Sequence, residues 1–241
     1  MRFLVIQHAA CEPPGAYETE LRARGVAFEC AHLDQGQPMP DWRAFDAILV
    51  MGGPMGAGEE ERLPWLAREK RELTDALHAG MPCWGVCLGA QLLAACLGAP
   101  VYRGERAELG VYADVELTPQ ARHDPVFERA PQRLTTLQWH ADTFALPAGA
   151  RLLASSAACP NQAFAWRGAY GLQFHLEASP ELAATWLEVP SYAAEARDAL
   201  GAGALTALAG RLPELDSAPA LARELFGRWI DNVVCASRAA P

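Results

Sequence analysis

Short apolar runs alternate with segments of helical spacing over the first hundred residues, and this alternation constrains the fold most. Four runs indicate strands: RFLVIQ, VAFECAHL, DAILVMGGP and MPCWGVC. The clearest helix is predicted at PWLAREKRELTDALHAG, where Pro64 suits the first turn and Gly80 follows the last. Strands joined by such helices build a mostly parallel sheet covered on both faces. Because ligands of such sheets bind beyond the carboxyl ends of the strands, the turns after these runs are where a site is expected.

The pattern changes near residue 100, where strand-like runs with short polar joins replace the alternation. These runs are VYADVELT, QRLTTLQWH, ARLLASS, NQAFAWR and AYGLQFHLE. Their short joins predict an antiparallel extension of the same sheet. After Pro180 the chain is predicted to be helical. Breaks are expected near Pro190, Gly201–Gly203 and Pro213. We therefore expect an α/β domain over residues 1–188 and a C-terminal helical appendage over residues 189–241.

Composition narrows the functional classes. A chain of 241 residues can bury one substantial core. Its formal net charge of −9 argues against nucleic acid or an anionic membrane surface as the main partner, because both would repel the protein. No apolar run reaches the roughly 18 residues that a transmembrane helix needs. The first run lacks a small-residue cleavage site after it, which predicts a strand rather than a signal peptide and favours the cytoplasm.

Cys87 is one of seven scattered cysteines, which are expected to be reduced and mostly buried in a cytoplasmic protein. It lies where the fourth predicted strand becomes a helix, and GVCLG has the form of a nucleophile elbow with cysteine in place of serine. Gly85 and Gly89 are predicted to relieve crowding there, and the backbone of Cys87 is expected to be strained. The helix N-terminus should lower the pKa of this thiol. The alternative is a buried structural cysteine in a glycine-rich turn.

A second polar pattern, GLQFHLEASP, lies in the last predicted strand. Gln173, His175 and Glu177 alternate with apolar residues and would share one face of that strand. A histidine and a carboxylate at this spacing can complete a triad, in which the imidazole takes the thiol proton and the carboxylate orients the ring. A lone histidine is more often structural, but this one accompanies an independent nucleophile signal.

A third segment, MGGPMG, follows a buried strand, and its two glycines would let backbone N–H groups approach a ligand closely. Taken together, ILVMGGP, GVCLGAQ and GLQFHLE resemble the signature segments of class I (triad) glutamine amidotransferases. The resemblance covers residues 1–188 and is strongest to stand-alone, GMP synthase-like members. It extends to QHAACEPPG near the start, ELG at 108–110, QWHADTFALP at 138–147 and NQAF at 161–164.

The resemblance implies a flavodoxin-like open sheet with Cys87 as nucleophile, His175 as base and Glu177 as the acid that orients the ring. It also implies an oxyanion hole formed by the backbones of Gly53 and Leu88. It implies that Gly52 contributes to binding glutamine, and that Gln91 and the backbone around Trp139 and His140 hold the amino-acid end of glutamine. The implied reaction is attack of the thiol on the side-chain amide of glutamine, followed by hydrolysis of a γ-glutamyl thioester. It needs no metal and no organic cofactor.

The fate of the ammonia is left open by the sequence. The 241 residues contain no P-loop and no ATP-pyrophosphatase-like segment, whereas classical members carry or recruit a synthetase that uses the ammonia. We therefore expect either a separate synthetase as a partner or a free-standing hydrolase of glutamine or another γ-glutamyl compound. A binding subunit without catalysis is the non-enzyme alternative.

Two rival interpretations of the cysteines are weaker. A zinc deaminase would place H-x-E before P-C-x-x-C, whereas here H-x-E comes second and three residues separate Cys83 from Cys87. A dithiol redox protein would need C-x-x-C, and Cys83 is predicted to be a packing residue within a strand. Both interpretations therefore rank below the triad hydrolase.

For two smaller features the sequence leaves two interpretations open. His8, Glu12 and the turn Pro13-Pro14-Gly15 follow the first strand at the ligand-binding edge. There they either select the acceptor and close the pocket or form plain loop structure. The amphipathic segment ARELFGRWIDNVV near the C-terminus is predicted to pack against the domain, with a homodimer interface as the alternative.

Overall fold

A computed structural model describes residues 1–239 of the chain. A nine-stranded sheet runs through these residues in the order β2-β1-β3-β4-β9-β8-β7-β5-β6. The strands are β1 (Arg2–Gln7), β2 (Ala27–His32), β3 (Ala47–Val50), β4 (Cys83–Val86), β5 (Val101–Leu117), β6 (Arg133–Phe144), β7 (Arg151–Ser155), β8 (Ala163–Trp166) and β9 (Ala169–Leu172). The helices are α1 (Ala16–Ala23), α2 (Pro64–His78), α3 (Leu88–Cys96), α4 (Pro180–Glu188), α5 (Pro190–Leu200), α6 (Ala204–Arg211), α7 (Ala218–Trp229) and α8 (Cys235–Ala239).

Parallel pairing links five strands in the spatial order β2, β1, β3, β4 and β9. These strands form one half of the sheet. Their side chains alternate between two apolar layers. In β1, for example, Phe3 and Val5 face one layer while Leu4 and Ile6 face the other. Helices α1 and α7 supply apolar residues to the first layer, and α2 and α3 supply them to the second. The predicted parallel sheet with helices on both faces is confirmed, in the strand order of a flavodoxin-like fold.

Antiparallel pairing forms the other half, which begins where β9 pairs with β8 and continues to β6. The predicted antiparallel extension is confirmed, and it contributes as many strand pairs as the parallel half. β5 begins at Val101, well before the predicted run that starts at Val111. The added segment is mostly exposed or half-buried and carries no apolar alternation, so its sequence did not predict a strand.

The C-terminal helices pack onto the sheet, as predicted for the amphipathic segment near the end of the chain. Phe226 and Trp229 of α7 make edge-to-face contacts with Phe3 of β1 and pack around Trp84 of β4. Helix boundaries fall at Pro190 and around Gly201–Gly203, where breaks were expected. Among residues 1–239, none of the helices combines the length and the apolar character that a bilayer crossing requires.

Candidate active site

Cys87 lies between the end of β4 and the start of α3, with a positive φ of 51° and a ψ of −109°. A residue other than glycine is strained in this region, and such strain concentrates at functional sites. The expected strained turn is therefore present in the structure. Cys87 is 5% exposed, and its Sγ lies 3.7 Å from the carbonyl oxygen of Trp139, to which the thiol can donate.

The two glycines that flank Cys87 are required by close approaches of the backbone. A Cβ placed on Gly85 would lie 2.7 Å from the carbonyl carbon of Gly89. A Cβ on Gly89 would come within 3.0 Å of the carbonyl oxygen of Val50, at the end of the neighbouring strand β3. No larger side chain fits either position without movement of the backbone, which is the crowding that the sequence predicted.

His175 and Glu177 form a buried pair beside this turn. Nδ1 of the histidine lies 2.7 Å from Oε1 of the glutamate, which orients the ring. Trp186 from α4 packs against the imidazole in a T-shaped arrangement, with ring centroids 4.8 Å apart. Both residues were expected in the last strand, but β9 ends at Leu172. His175 instead exchanges backbone hydrogen bonds with Leu137 of β6, so the chain has left β9 before it reaches the pair.

Nε2, the other ring nitrogen of His175, is buried and has no hydrogen-bond partner by geometry among the described residues. This nitrogen is the atom that can accept the proton of the Cys87 thiol, and each of the two groups shifts the pKa of the other. Burial lowers the pKa of His175, but the charge of Glu177 and contact with Cys87 outweigh burial and raise it well above its usual value. Burial also raises the pKa of Cys87, and the histidine opposes this shift only in part.

The expected lowering of the Cys87 pKa is therefore wrong for the resting protein. A backbone hydrogen bond from Leu88 at the helix N-terminus does lower this pKa, but burial has the larger effect and the nearby charge of Glu12 adds to it. The direction of this shift favours the thiol over the thiolate at Cys87. Transfer of its proton to His175 would form the thiolate.

Two side-chain amides lie near the sulfur of Cys87 and contact one another. Gln173 Nε2 lies 3.7 Å from Sγ of Cys87, and Gln173 Oε1 accepts a hydrogen bond of 3.3 Å from Gln91 Nε2. Gln91 also donates to the backbone carbonyl of Asp142 at 2.9 Å. This chain of contacts links the turn to β6 and fixes the orientation of Gln91 toward the pocket.

A cavity of about 210 Å³ opens at Cys87. Five residues predicted for the site line it, namely Gly53, Cys87, Gln91, Trp139 and His140. The others lie close behind the wall. Gly52 is buried, and a Cβ on it would lie 3.3 Å from Cε1 of His175. A Cβ on Gly53 would lie 3.2 Å from the side chain of Leu88, so the two segments predicted to form an oxyanion hole are adjacent.

Glu12, Tyr192 and Glu195 are among the residues of the pocket wall that the sequence missed or left undecided. Glu12, for which plain loop structure was an equal alternative, lines the cavity. Its Oε1 accepts a hydrogen bond from the hydroxyl of Tyr192, and its Oε2 has no partner among the described residues. Tyr192 and Glu195 of α5 also line the cavity, and Glu195 Oε2 accepts a hydrogen bond of 3.2 Å from Trp139 Nε1. No signal in the alanine-rich stretch of α5 distinguished them.

His8, which was considered together with Glu12, lies outside the pocket wall. Its Nε2 lies 2.9 Å from Oε1 of Glu69 in α2, and its Nδ1 can donate to the carbonyl oxygen of Met51 at 3.0 Å. Burial lowers the pKa of His8, but the carboxylate of Glu69 outweighs burial and raises it. His8 therefore braces the turn at Gly52 rather than contacting a ligand.

One group among the described residues could offer three ligand atoms to a metal ion. Glu108, His140 and Cys159 are all buried, and their ligand atoms lie within 4.8 Å of one another. Neighbouring side chains already engage two of them, since Nε2 of His140 lies 3.1 Å from Gln138 Oε1 and Sγ of Cys159 lies 3.2 Å from Thr143 Oγ1. The group does not include Cys87, and the metal-free reaction stays a prediction.

Residues 16–188 match the family model of class I glutamine amidotransferases. The chain therefore belongs to the class I glutamine amidotransferase family, with the strained cysteine turn and the histidine–glutamate pair inside the matched region.

Individual relatives agree with this assignment. The glutamine amidotransferase-like protein YfeJ of Salmonella typhimurium is 31% identical over 186 residues, which are 75% of this chain and 77% of that protein. One subunit of the glutamine-hydrolysing GMP synthase of Pyrococcus abyssi is 30% identical over 169 residues, 67% of this chain and 81% of that relative. The crystal structure of a glutamine amidotransferase from Thermotoga maritima is 32% identical, with a TM-score of 0.82 over 96% of this chain and 98% of that one.

Proposed function

We propose that the protein hydrolyses the side-chain amide of glutamine through a thioester on Cys87. The observation that carries the proposal is the hydrogen bond of 2.7 Å between Glu177 and His175, whose free Nε2 is buried next to the strained Cys87 turn. Membership of the family supports glutamine as the substrate. A site that had lost its activity would have no chemical reason to keep nucleophile, base and orienting acid together. Their joint presence argues against a purely binding role.

In the first step Nε2 of His175 takes the proton of the Cys87 thiol, and the sulfur attacks the γ-carbonyl carbon of glutamine. The carbonyl oxygen becomes negatively charged, and the backbone N–H groups of Gly53 and Leu88 stabilise it. His175 then returns the proton to the nitrogen as the C–N bond breaks. Ammonia leaves, and a γ-glutamyl thioester remains on Cys87.

In the second step water attacks the thioester carbon, with Nε2 of His175 taking its proton. The C–S bond breaks, the proton passes to the sulfur, and glutamate is released with the free thiol restored. Glu177 keeps its hydrogen bond to Nδ1 throughout, so that it holds the ring in place and stabilises the imidazolium that forms in each step.

Two physiological roles are compatible with this chemistry. The similarity to one subunit of a GMP synthase favours a glutaminase that passes its ammonia to a synthetase carried on another chain. The alternative is a free-standing hydrolase, which would release ammonia from glutamine or an amine from a larger γ-glutamyl compound. Tyr192 and Glu195 of α5, which line the cavity, would then lie near the departing group.

Glutamate release from L-glutamine by the purified protein tests the proposal. We expect Cys87→Ser to lower the rate by about 10³-fold or more, because the hydroxyl is a far weaker nucleophile in this setting. Cys235→Ser is the matched control, since Cys235 is exposed on α8, and it should keep the full rate. Release that survives Cys87→Ser would contradict the mechanism. Activity that a chelator removes and zinc restores would contradict the metal-free reaction.

A further inference from the structure

Glu12 carries a buried carboxylate oxygen that no group among the described residues uses. The residue is 5% exposed, and Tyr192 satisfies only Oε1. Oε2 has no hydrogen-bond partner among residues 1–239, although Glu12 lines the same cavity as Cys87. A buried carboxylate oxygen without a partner is unfavourable, so a ligand in the cavity is the natural source of the missing hydrogen bond.

This free oxygen lies on the His175 side of the site. A Cβ placed on Gly52 would contact Oε2 of Glu12 and lie 3.3 Å from Cε1 of His175, so the carboxylate and the imidazole lie near one another beside Gly52. In the proposed reaction His175 gives its proton to the departing nitrogen, and the leaving group therefore occupies this side. Gln91 and His140, proposed for the amino-acid end, contact the carbonyl oxygen of Asp142 in another part of the cavity.

Negatively charged side chains outnumber positively charged ones in the lining of the cavity. Its lining carboxylates are Glu12, Glu59, Asp142 and Glu195, and the one guanidinium among its described lining residues belongs to Arg103. Glu59 pairs with Arg62, and Asp142 lies 4.0 Å from Arg103. Within the described part of the chain, Glu12 and Glu195 make hydrogen bonds to aromatic residues but no ion pair.

Two aromatic rings connect these unpaired carboxylates. Tyr192 binds Glu12, Trp139 binds Glu195, and the two rings stack with centroids 5.8 Å apart. Carboxylates next to aromatic faces attract ammonium groups, through charge and through the electrons of the rings. Burial raises the pKa of Glu12, the nearby charge of His175 opposes this shift only in part, and a bound cation would further favour the ionised form.

We propose that Glu12, Tyr192, Trp139 and Glu195 form a subsite for a positively charged leaving group. This inference rests on the proposed function and adds to glutamine a preferred class of substrate, the γ-glutamyl amides of amines that carry a second, cationic group. Cys87 forms the same thioester, the C–N bond breaks, and the departing nitrogen takes the proton from His175. The products are then glutamate and a free diamine in place of ammonia.

Three γ-glutamyl amides of similar length test the subsite, and L-glutamine is assayed beside them. Their leaving amines are 1,4-diaminobutane, pentylamine and 4-aminobutyrate, which end in a positive, a neutral and a negative group. All share the same glutamyl half, so ratios of kcat/KM isolate the leaving group. We expect the cationic amide to exceed the neutral one by about tenfold and the anionic amide to fall below both.

Variants of the lining carboxylates identify which residues produce the preference for a cationic leaving group. Glu12→Gln should reduce the cationic-to-neutral ratio by about tenfold, and Glu195→Gln by about threefold, because Glu195 is exposed and screened by solvent. Glu61→Gln is the matched control, since this exposed carboxylate does not line the cavity, and it should leave the ratio unchanged. If Glu12→Gln does not fold, the exposed Glu195 still carries the test.

The outcomes separate the subsite from the reaction. Turnover that depends on Cys87 but shows equal or anion-favouring ratios would overturn the subsite and leave the proposed function intact. An equal loss for all three amides in Glu12→Gln would also overturn it, because Glu12 would then serve the shared glutamyl half. If no amide and no glutamine is hydrolysed, the proposed function fails, and calorimetric binding of the three amides to Cys87→Ala decides the charge preference by itself.

Discussion

The two sides of the cavity are held in different ways. The reactive edge, formed by Gly52, Cys87 and His175, is fixed by the backbone. Cys87 has a positive φ, the glycines lie in close contact with neighbouring groups, and His175 makes backbone hydrogen bonds to β6. The helical cover, formed by α4 and α5, is attached through side chains: Tyr192 and Glu195 of α5 line the cavity, and Trp186 of α4 packs against His175. The comparison teaches that the backbone fixes the groups proposed to react, whereas the groups proposed to select a ligand are side chains that substitution can change.

Glu177→Gln tests the reactive edge and has the largest expected effect. The variant removes the negative charge that stabilises the imidazolium, and an amide N–H turned toward Nδ1 would favour the wrong tautomer, so kcat/KM should fall by about 10²- to 10⁴-fold. The pKa of His175 would lose the raising effect of the Glu177 charge, so the acid limb of the pH–rate profile should move to lower pH. Glu188→Gln, at an exposed position at the end of α4, is the control. An unchanged profile in Glu177→Gln would separate the glutamate from the histidine.

Gly89→Ala breaks the same edge through the backbone. The added Cβ would meet the carbonyl oxygen of Val50, and we expect a loss of about 3 kcal/mol in the free energy of unfolding, together with loss of turnover. Gly210→Ala is the matched control, because a Cβ there meets nothing within 4 Å and α6 should gain about 0.5–1 kcal/mol. Denaturant unfolding measures both. Equal stability of the two variants would show that the turn has room to relax.

Tyr192→Phe tests the helical cover and should have the smallest effect. The variant removes the donor to Oε1 of Glu12, and we expect a loss of about 1 kcal/mol in stability with KM raised about threefold and kcat little changed. Tyr102→Phe, on an exposed part of β5, should change neither quantity. A drop in kcat as large as that of Glu177→Gln would mean that the cover takes part in the chemistry.

The sequence predicted the reactive edge better than the helical cover for a physical reason. The turn at Cys87 is a local feature, since strand, glycines and helix follow one another within a few residues. The position of His175 depends on a partner strand, and the prediction of one continuous strand was wrong beyond Leu172 because the chain turns to Leu137. Burial, which depends on the whole fold, reversed the expected direction of the Cys87 pKa shift.

The helical cover shows the limit of pattern analysis. The prolines and glycines of the C-terminal segment predicted where its helices break, and the structure confirms those breaks. Nothing in the helical period of α5 indicated that Tyr192 would meet Glu12, which lies 180 residues earlier in the chain. A contact of that range depends on how the helix docks, and local propensity carries no information about docking.

The pairing of β4 with β9 has a consequence for the newly made protein. Trp84 lies beside Tyr170 in this pair, so the centre of the sheet cannot close before residues near 170 have been synthesised. Until then the Cys87 thiol has no His175 beside it to take its proton. The general base therefore reaches the nucleophile only when these two distant strands have paired.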